Sequence, residues 1–238
     1  MNKLNTSVKV TELGDTALRL VKAFKAVAAV QNDAFLTKTF AEIEKQATAM
    51  TSAVKSDQAL SKLEEADAQR DQAIRVLDKL LKGYENIPLA NLKTHAKKLA
   101  EIFKKYGVKI TGENYASQST LINSLLGDFS ATELKPSIEA LAGVKEALAE
   151  IQTKQNAFAT LRSDYEKAQV SQKEKSSATS LRKPLLELIN KKAVPYLVAM
   201  SVAQPELFKN LTAEASEIIT STNEAIKARS KKEKKEKK

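Results

Sequence analysis

Leu60–Tyr84 reads LSKLEEADAQRDQAIRVLDKLLKGY. Apolar side chains recur at Leu60, Leu63, Ile74, Leu77, Leu81 and Tyr84. The spacing alternates three and four, the period of a helix that lays one stripe against its neighbours. The same cadence passes through Asp67 and Arg70, with Asp71 alongside. A carboxylate and a guanidinium therefore fall on the buried side of a long helix, one turn apart. Burying either charge alone is costly, whereas a well-paired couple roughly breaks even against apolar packing. Two roles are open to such a pair. It can fix register between helices, as single polar core residues do in coiled coils. Alternatively Arg70 and Arg162, from a second helix, hold a small anionic or polar ligand inside a bundle.

Outward from this stretch the pattern repeats. A first helix is expected from Asp15, an N-cap after Gly14, to Gln31, on Leu13, Ala17, Leu20, Phe24 and Val27. A second runs to Lys55 on Leu36, Phe40, Ile43, Ala47, Met50 and Val54, and Ser56-Asp57 caps the third, which continues to Glu85. Pro88 suits the first turn of a fourth, on Leu89, Leu92, Ala96, Leu99, Phe103 and Tyr106, with Gly107 as its stop. Val108–Ser117 lacks a helical period and is expected to be extended or looped, before a short helix over Gln118–Leu126. A long helix is expected from Thr132 to Ser176. Its stripe is Leu141, Val144, Leu148, Ile151, Gln155, Phe158, Arg162 and Tyr165, polar in the middle at Gln155 and Arg162. Pro184 and Pro195 start, bend or interrupt Ala178–Ala203. Pro205 opens a last helix on Phe208, Leu211, Ala215, Ile218, Ala225 and Arg229.

Short breaks make antiparallel neighbours. The expected fold is all-α, an elongated up-and-down bundle of about seven to eight helices with long central members. One helical-bundle domain is expected over residues 1–229, and a disordered lysine-rich tail, too charged to pack, over 230–238. A shift of 112 residues superposes Arg70 on Arg182 and Tyr84 on Tyr196. Duplicated halves would give this, and so would any two such stripes sixteen heptads apart.

Composition narrows the chemistry. Of 238 residues only 6 are Gly and 5 Pro, which favours long helices, and the 42% hydrophobic share suffices for a core without staples. The absence of Cys excludes disulfides, thiolate catalysis and Cys-based zinc sites. No apolar run reaches the ~18 residues of a membrane span, and Met1–Val10 has no apolar signal segment. A soluble, cytoplasmic protein with no membrane partner is expected. His95, the sole histidine, lies off its helix stripe and reads as a surface residue; Leu92 stands where a ferritin-like Glu-x-x-His motif needs Glu. Neither Gly-x-Ser-x-Gly nor a P-loop is present, since Gly107 and Gly112 lack the Lys-Ser/Thr that would follow. No metal, cofactor or catalytic residue is assigned, and the chain reads as a non-enzyme.

The net charge of +10 is concentrated at one end, where Lys227–Lys238 holds eight basic residues against two acidic. Lys227, Arg229, Lys231, Lys232, Lys234, Lys235, Lys237 and Lys238 are candidate contacts for nucleic acid or an acidic partner. Lys93, Lys97, Lys98, Lys104 and Lys105 on the fourth helix join them. No aromatic residue interleaves with the tail, so base stacking is not indicated. A solubilising tail and a solvated helix face account for the same lysines.

Ala66-Asp67-Ala68-Gln69-Arg70-Asp71, followed by Ile74 and Leu77, resembles the Asp-x-x-Arg-Asp signature of an uncharacterised all-helical bacterial family, found mainly in Bacteroidota. Phe103-Lys104-Lys105-Tyr106-Gly107 with Tyr115 is similar to that family's helix exit and loop. Asn156-Ala157-Phe158 with Leu161 resembles its Asn-x-Phe-x-x-Leu segment, and a lysine-rich C-terminus is common in it. The resemblance implies a cytoplasmic bacterial protein of one helical domain. It places Asp67, Arg70 and Asp71 among the defining positions and supplies no activity. Two functions are carried forward. The first is a non-enzymatic interaction or scaffold protein, with a protein partner or self-association. The second is a nonspecific nucleic-acid-binding accessory protein using the tail and the fourth-helix lysines.

Overall fold

The computed structural model describes residues 1–171 and 177–236, and every regular element among them is helical. In order these are α1 (Val10–Ala26), α2 (Ala34–Asn86), α3 (Ala90–Lys104), α4 (Tyr115–Phe129), α5 (Lys135–Ala140), α6 (Val144–Ser171), α7 (Ala178–Glu187), α8 (Val194–Ala203) and α9 (Pro205–Glu236). The all-α expectation holds, with long helices at its centre. Among the described residues no helix is long and apolar enough to cross a membrane.

Several boundaries differ from those expected, each for a local reason. Helix α1 starts five residues early, because Glu12 rather than Asp15 satisfies its entrance: Lys9 N–H donates to Glu12 Oε2 at 2.8 Å. The break expected at Ser56-Asp57 is absent. Between Ala34 and Lys82 there is no Gly or Pro, and Ser or Asp inside a helix costs only tenths of a kcal/mol. Ser56 is buried and accepts from Gln169 Nε2 at 3.1 Å.

Val108–Gly112 is 3-10 helix rather than extended chain. Asn114 then caps α4, its Oδ1 accepting from the N–H groups of Ala116 and Ser117 at 3.1 and 3.0 Å. Helix α4 runs past the expected end at Leu126, through Gly127, to Phe129. The long helix expected from Thr132 is divided at Ala142-Gly143, where Gly143 takes φ 86°. Only glycine adopts that region freely. The expected end at Ser176 lies outside the described residues.

Pro195 cannot donate, and its ring crowds the carbonyl four residues back. The helix answers with a π segment, Leu188–Ala193, in which Val194 N–H reaches Ile189 C=O. Finally, α9 stays helical to Glu236 where a disordered tail was expected from Ser230. Pairs four apart, half-buried Arg229 with Glu233 and exposed Lys232 with Glu236, both 3.9 Å, support those turns.

The residues divide into two compact units, a division that the one-domain reading of 1–229 does not draw. Unit 1 comprises 1–58 and 168–238; unit 2 comprises 59–167. Unit 1 packs α1 against α7 and α9, and α8 against α9. Its core holds Leu13, Leu20, Ile43, Leu185, Leu197, Leu211 and Ile219, with Phe24 stacked on Phe40 at 4.5 Å. Buried Thr16 and Thr222 hydroxyls meet at 3.0 Å and tie α1 to α9.

Unit 2 surrounds the 59–86 part of α2 with α3, α4, α5 and the 144–167 part of α6. Its core holds Ile74, Leu77, Leu99, Phe103, Ile122, Leu125, Val144 and Ile151. The units do not correspond to the two halves of the chain, and Arg182, the 112-residue counterpart of Arg70, is not buried.

Candidate functional site

The 3-4 stripe of α2 packs as a helix stripe should. Leu63, Arg70, Ile74 and Leu77 are at most 1% exposed, and Leu81 is 2% exposed. Arg70 is the largest of the fully buried side chains, and the structure encloses it with three helices of unit 2. From α2, Asp67 Oδ1 accepts from Arg70 Nη2 at 2.7 Å. From α4, Gln118 Oε1 accepts from Nη2 at 2.7 Å, and Ser119 Oγ from Nη1 at 3.0 Å. From α6, Gln155 Oε1 accepts from Nη1 at 3.1 Å. The ring of Phe158, also on α6, lies 3.7 Å from the guanidinium carbon and takes the flat face of the cation. Tyr115 packs edge-on against that ring at 5.1 Å.

The network extends one bond outward on two sides. Gln118 Nε2 donates to Asp71 Oδ1 at 2.6 Å, which fixes the orientation of the amide: oxygen to arginine, nitrogen to carboxylate. Ser119 Oγ donates to the Tyr115 carbonyl at 2.8 Å while accepting from Arg70. Arg70 Nε is the guanidinium donor left without an acceptor.

Burial lowers the Arg70 pKa from its ordinary value, and the bond to Asp67 opposes that shift. Burial also raises the Asp71 pKa, against the hydrogen bond from Gln118. The Tyr115 hydroxyl is raised by burial and by nearby Asp67.

This arrangement is closed. Every Nη hydrogen has a protein acceptor, and an aromatic ring covers one guanidinium face. The chemistry available is that of a planar five-donor cation used as a joint. It gathers acceptors from α2, α4 and α6, and it penalises any register that separates them, because stranded buried amides are expensive.

Of the residues marked in the sequence, Asp67, Arg70, Asp71 and Gln155 meet here, with Asp67 and Asp71 half-buried. Arg162 does not. It is half-exposed and pairs with Glu166 four residues on, Nε to Oε1 at 3.0 Å. A straight helix drifts about 20° per heptad, and on this stretch of α6 the inward positions are held by Phe158, which is buried, and by Leu161 and Tyr165, which are half-buried. The ligand site between Arg70 and Arg162 is therefore not formed.

Gln118 and Ser119 were not marked in the sequence. The signal for them was Asn114 as a cap, which puts Gln118, Ile122, Leu125 and Phe129 on one face, again with a polar residue on an apolar stripe. His95, expected at the surface, is half-buried, its Nδ1 3.0 Å from the buried Ser137 hydroxyl.

The candidate basic contacts separate into engaged and exposed groups. Lys98 donates to Glu133 C=O at 2.8 Å. Lys104 lies 3.7 Å from Glu85. Lys105 lies 3.2 Å from Asp128, whose carboxyl its hydrogen bond, with that of Tyr106, holds below the usual range. Arg229 is half-buried between Glu12 and the Ser7 carbonyl, so it fastens unit 1 rather than facing a partner. Lys93, Lys97, Lys227, Lys231, Lys232, Lys234 and Lys235 are exposed. Lys237 and Lys238 lie outside the described residues.

A family model described as a family of unknown function, DUF6261, matches residues 60–232. The chain belongs to DUF6261. The match takes in unit 2 almost entire, with Arg70, Gln118 and Gln155, and continues through α7, α8 and most of α9. Membership agrees with the resemblance to an uncharacterised family. Comparison with curated proteins and with solved structures gives no match.

Proposed function

We propose that this DUF6261 member is a non-enzymatic interaction protein that associates with a second copy of itself, in the bacterial cytoplasmic setting that the resemblance implies. One observation carries the proposal. Helix α8, VPYLVAMSVA, has no charged residue, yet only Val194 and Leu197 are buried. Val198 and Val202 stand 38% and 81% exposed. Leu207 and Phe35, the latter stacked on Tyr196 at 4.4 Å, are exposed in the same unit. A helix apolar on all sides is normally buried on all sides, and a contiguous exposed apolar patch marks an interaction face. The face itself has no charge to bury when it meets the same face of a second copy. The closed Arg70 network then has a scaffold role.

Sedimentation velocity over a concentration series tests this. The parent chain is expected to dimerise reversibly, and Val198→Glu with Val202→Glu to remain monomeric with unchanged helicity. A parent chain that stays monomeric at its highest attainable concentration contradicts the proposal.

A second reading, nonspecific nucleic-acid binding, is favoured by the last turns of α9. Lys231, Lys232, Lys234 and Lys235 are exposed there beyond Ile226, the last buried residue among those described. Such binding is expected to collapse between about 50 and about 200 mM salt. Filter binding that shows no retention even at low salt removes it.

A further inference from the structure

The solvent face of α2 in unit 2 matches itself when reversed. Exposed residues recur there at Glu65, Ala68, Gln72, Val76 and Lys79, with spacings of three, four, four and three. These positions form one helical stripe, and the pattern reads the same outward from Gln72 in both directions. Two copies of α2 laid antiparallel about a twofold axis at Gln72 bring together residues equally far from it. Glu65 then meets Lys79, Ala68 meets Val76, and Gln72 meets its own copy. Each couple is complementary: acid with base, aliphatic with aliphatic, and amide with an amide that both donates and accepts. One turn further out Ser61 meets Gly83, both exposed and small. In a parallel pair Glu65 would meet Glu65 and Lys79 would meet Lys79, so charge selects the antiparallel orientation. Lys62 opposite Lys82 is a like-charged couple at the edge of the stripe, and Lys82 is already held by Asp78 at 2.8 Å.

The surface has a recess for what this match delivers. A groove of about 420 Å³ runs between α2 and α6, and Ala68, Ala73, Val76 and Ala147 give it an apolar lining. Val76 is 44% exposed, an aliphatic side chain standing in water among polar neighbours. The antiparallel match carries Val76 of each copy onto Ala68 of the other, so each valine enters the other copy's groove as a knob enters a hole. Lys154, at the α6 side of the groove, is paired with Glu150 at 3.3 Å.

We propose that α2 and α6 of unit 2 form a second self-association face, on which α2 of one copy lies antiparallel across α2 of another with Gln72 on the twofold axis. The stripe from Ser61 to Gly83 is about 33 Å long. With α6 beside it the contact buries roughly 1,300 Å² over both copies, the lower end for a specific interface. Free copies therefore pair here transiently, too weakly to register in sedimentation where the α8 face pairs. Two self-matching faces on one chain join copies alternately, and this extends assembly past the dimer at higher concentration. The α2 face does not depend on the α8 face, so either can fail alone.

The chain has no Cys, so an engineered thiol reports the contact without background. Disulfide formation under mild oxidation is followed for full-length Gln72→Cys and for Gln152→Cys, an exposed α6 position outside the groove. The linked dimer is expected to form several-fold faster from Gln72→Cys. In a mixture of Ala68→Cys and Val76→Cys chains the heterodisulfide is expected to exceed both homodisulfides. Adding Glu65→Lys or Lys79→Glu to Gln72→Cys is expected to slow linkage to the control rate, and adding both to restore it. Every one of these positions is exposed, and circular dichroism checks that helicity is unchanged.

Adding Val198→Glu and Val202→Glu to Gln72→Cys separates the two faces, and linkage is expected to persist at the same rate. Persistence supports the α2 face even if the parent chain never dimerises through α8. Linkage of Gln72→Cys no faster than that of Gln152→Cys overturns the proposal. So do homodisulfides that dominate the mixture, a charge exchange that restores nothing, or linkage that is lost with the α8 substitutions.

Discussion

Truncating Arg70 to Ala tests the packing of unit 2. The substitution removes the donors that hold Gln118 Oε1 and Gln155 Oε1, on side chains 1% and 5% exposed. A buried acceptor left without a donor costs about 1–3 kcal/mol, and the lost contact with Phe158 and the emptied volume add to this. Asp67 contributes less, because its side chain is 26% exposed and rehydrates. The expected loss is about 3–5 kcal/mol, in the range for breaking a buried ion pair from one side. That corresponds to a fall in Tm of about 10 °C for a chain of this size. Urea and thermal unfolding followed by circular dichroism measure it. A compensating Arg70→Met with Asp67→Leu is not expected to restore the parent, since both glutamines remain stranded. An Arg70→Ala chain that melts within about 2 °C of the parent would refute the assignment of Arg70 as the joint of three helices.

Other outcomes follow from the same geometry. Burial raises the Asp71 pKa, so the folded chain keeps that proton to higher pH than the unfolded chain does. The associated stability is complete below the unfolded value of about 3.9 and is lost as pH rises through the folded one. Asp71→Asn preserves the acceptor for Gln118; it should match the parent in acid and melt higher at neutral pH, and a lower Tm at neutral pH counts against the network. Arg162→Ala removes only an exposed pair with Glu166, and urea unfolding should show a change within about 0.5 kcal/mol. Gly143→Ala places a Cβ at φ 86°, and the same measurement should show a cost of about 1–2 kcal/mol.

Much of unit 2 was legible because one periodicity governs it. The cadence that buries Leu63 and Ile74 leaves position 70 nowhere to go but inward, and the polar interruption at Gln155 follows from the same count on α6. Arg162 shows where that count fails, since a strict heptad accumulates drift on a straight helix. Gln118 and Ser119 were hidden because Val108–Ser117 has no period to extend across them, and their helix is set by the Asn114 cap. The continuity of α2 through Ser56 was also hidden, because its polar side chain is satisfied by Gln169, far along the chain. The hydrogen bonds that Asn190 and Asn223 make to the main chain of residues 3–5 could not be read at all. They appear only when distant helices meet.

The most direct measurement is the NMR exchange of arginine side-chain protons in the folded chain. One guanidinium, assigned to Arg70 by its loss in Arg70→Met, should show Nη hydrogens that are inequivalent and protected from water. They should also be shifted by the ring current of Phe158, and Phe158→Leu should remove that shift. Guanidinium protons that all exchange at solvent rates would contradict the buried joint on which the fold of unit 2 depends.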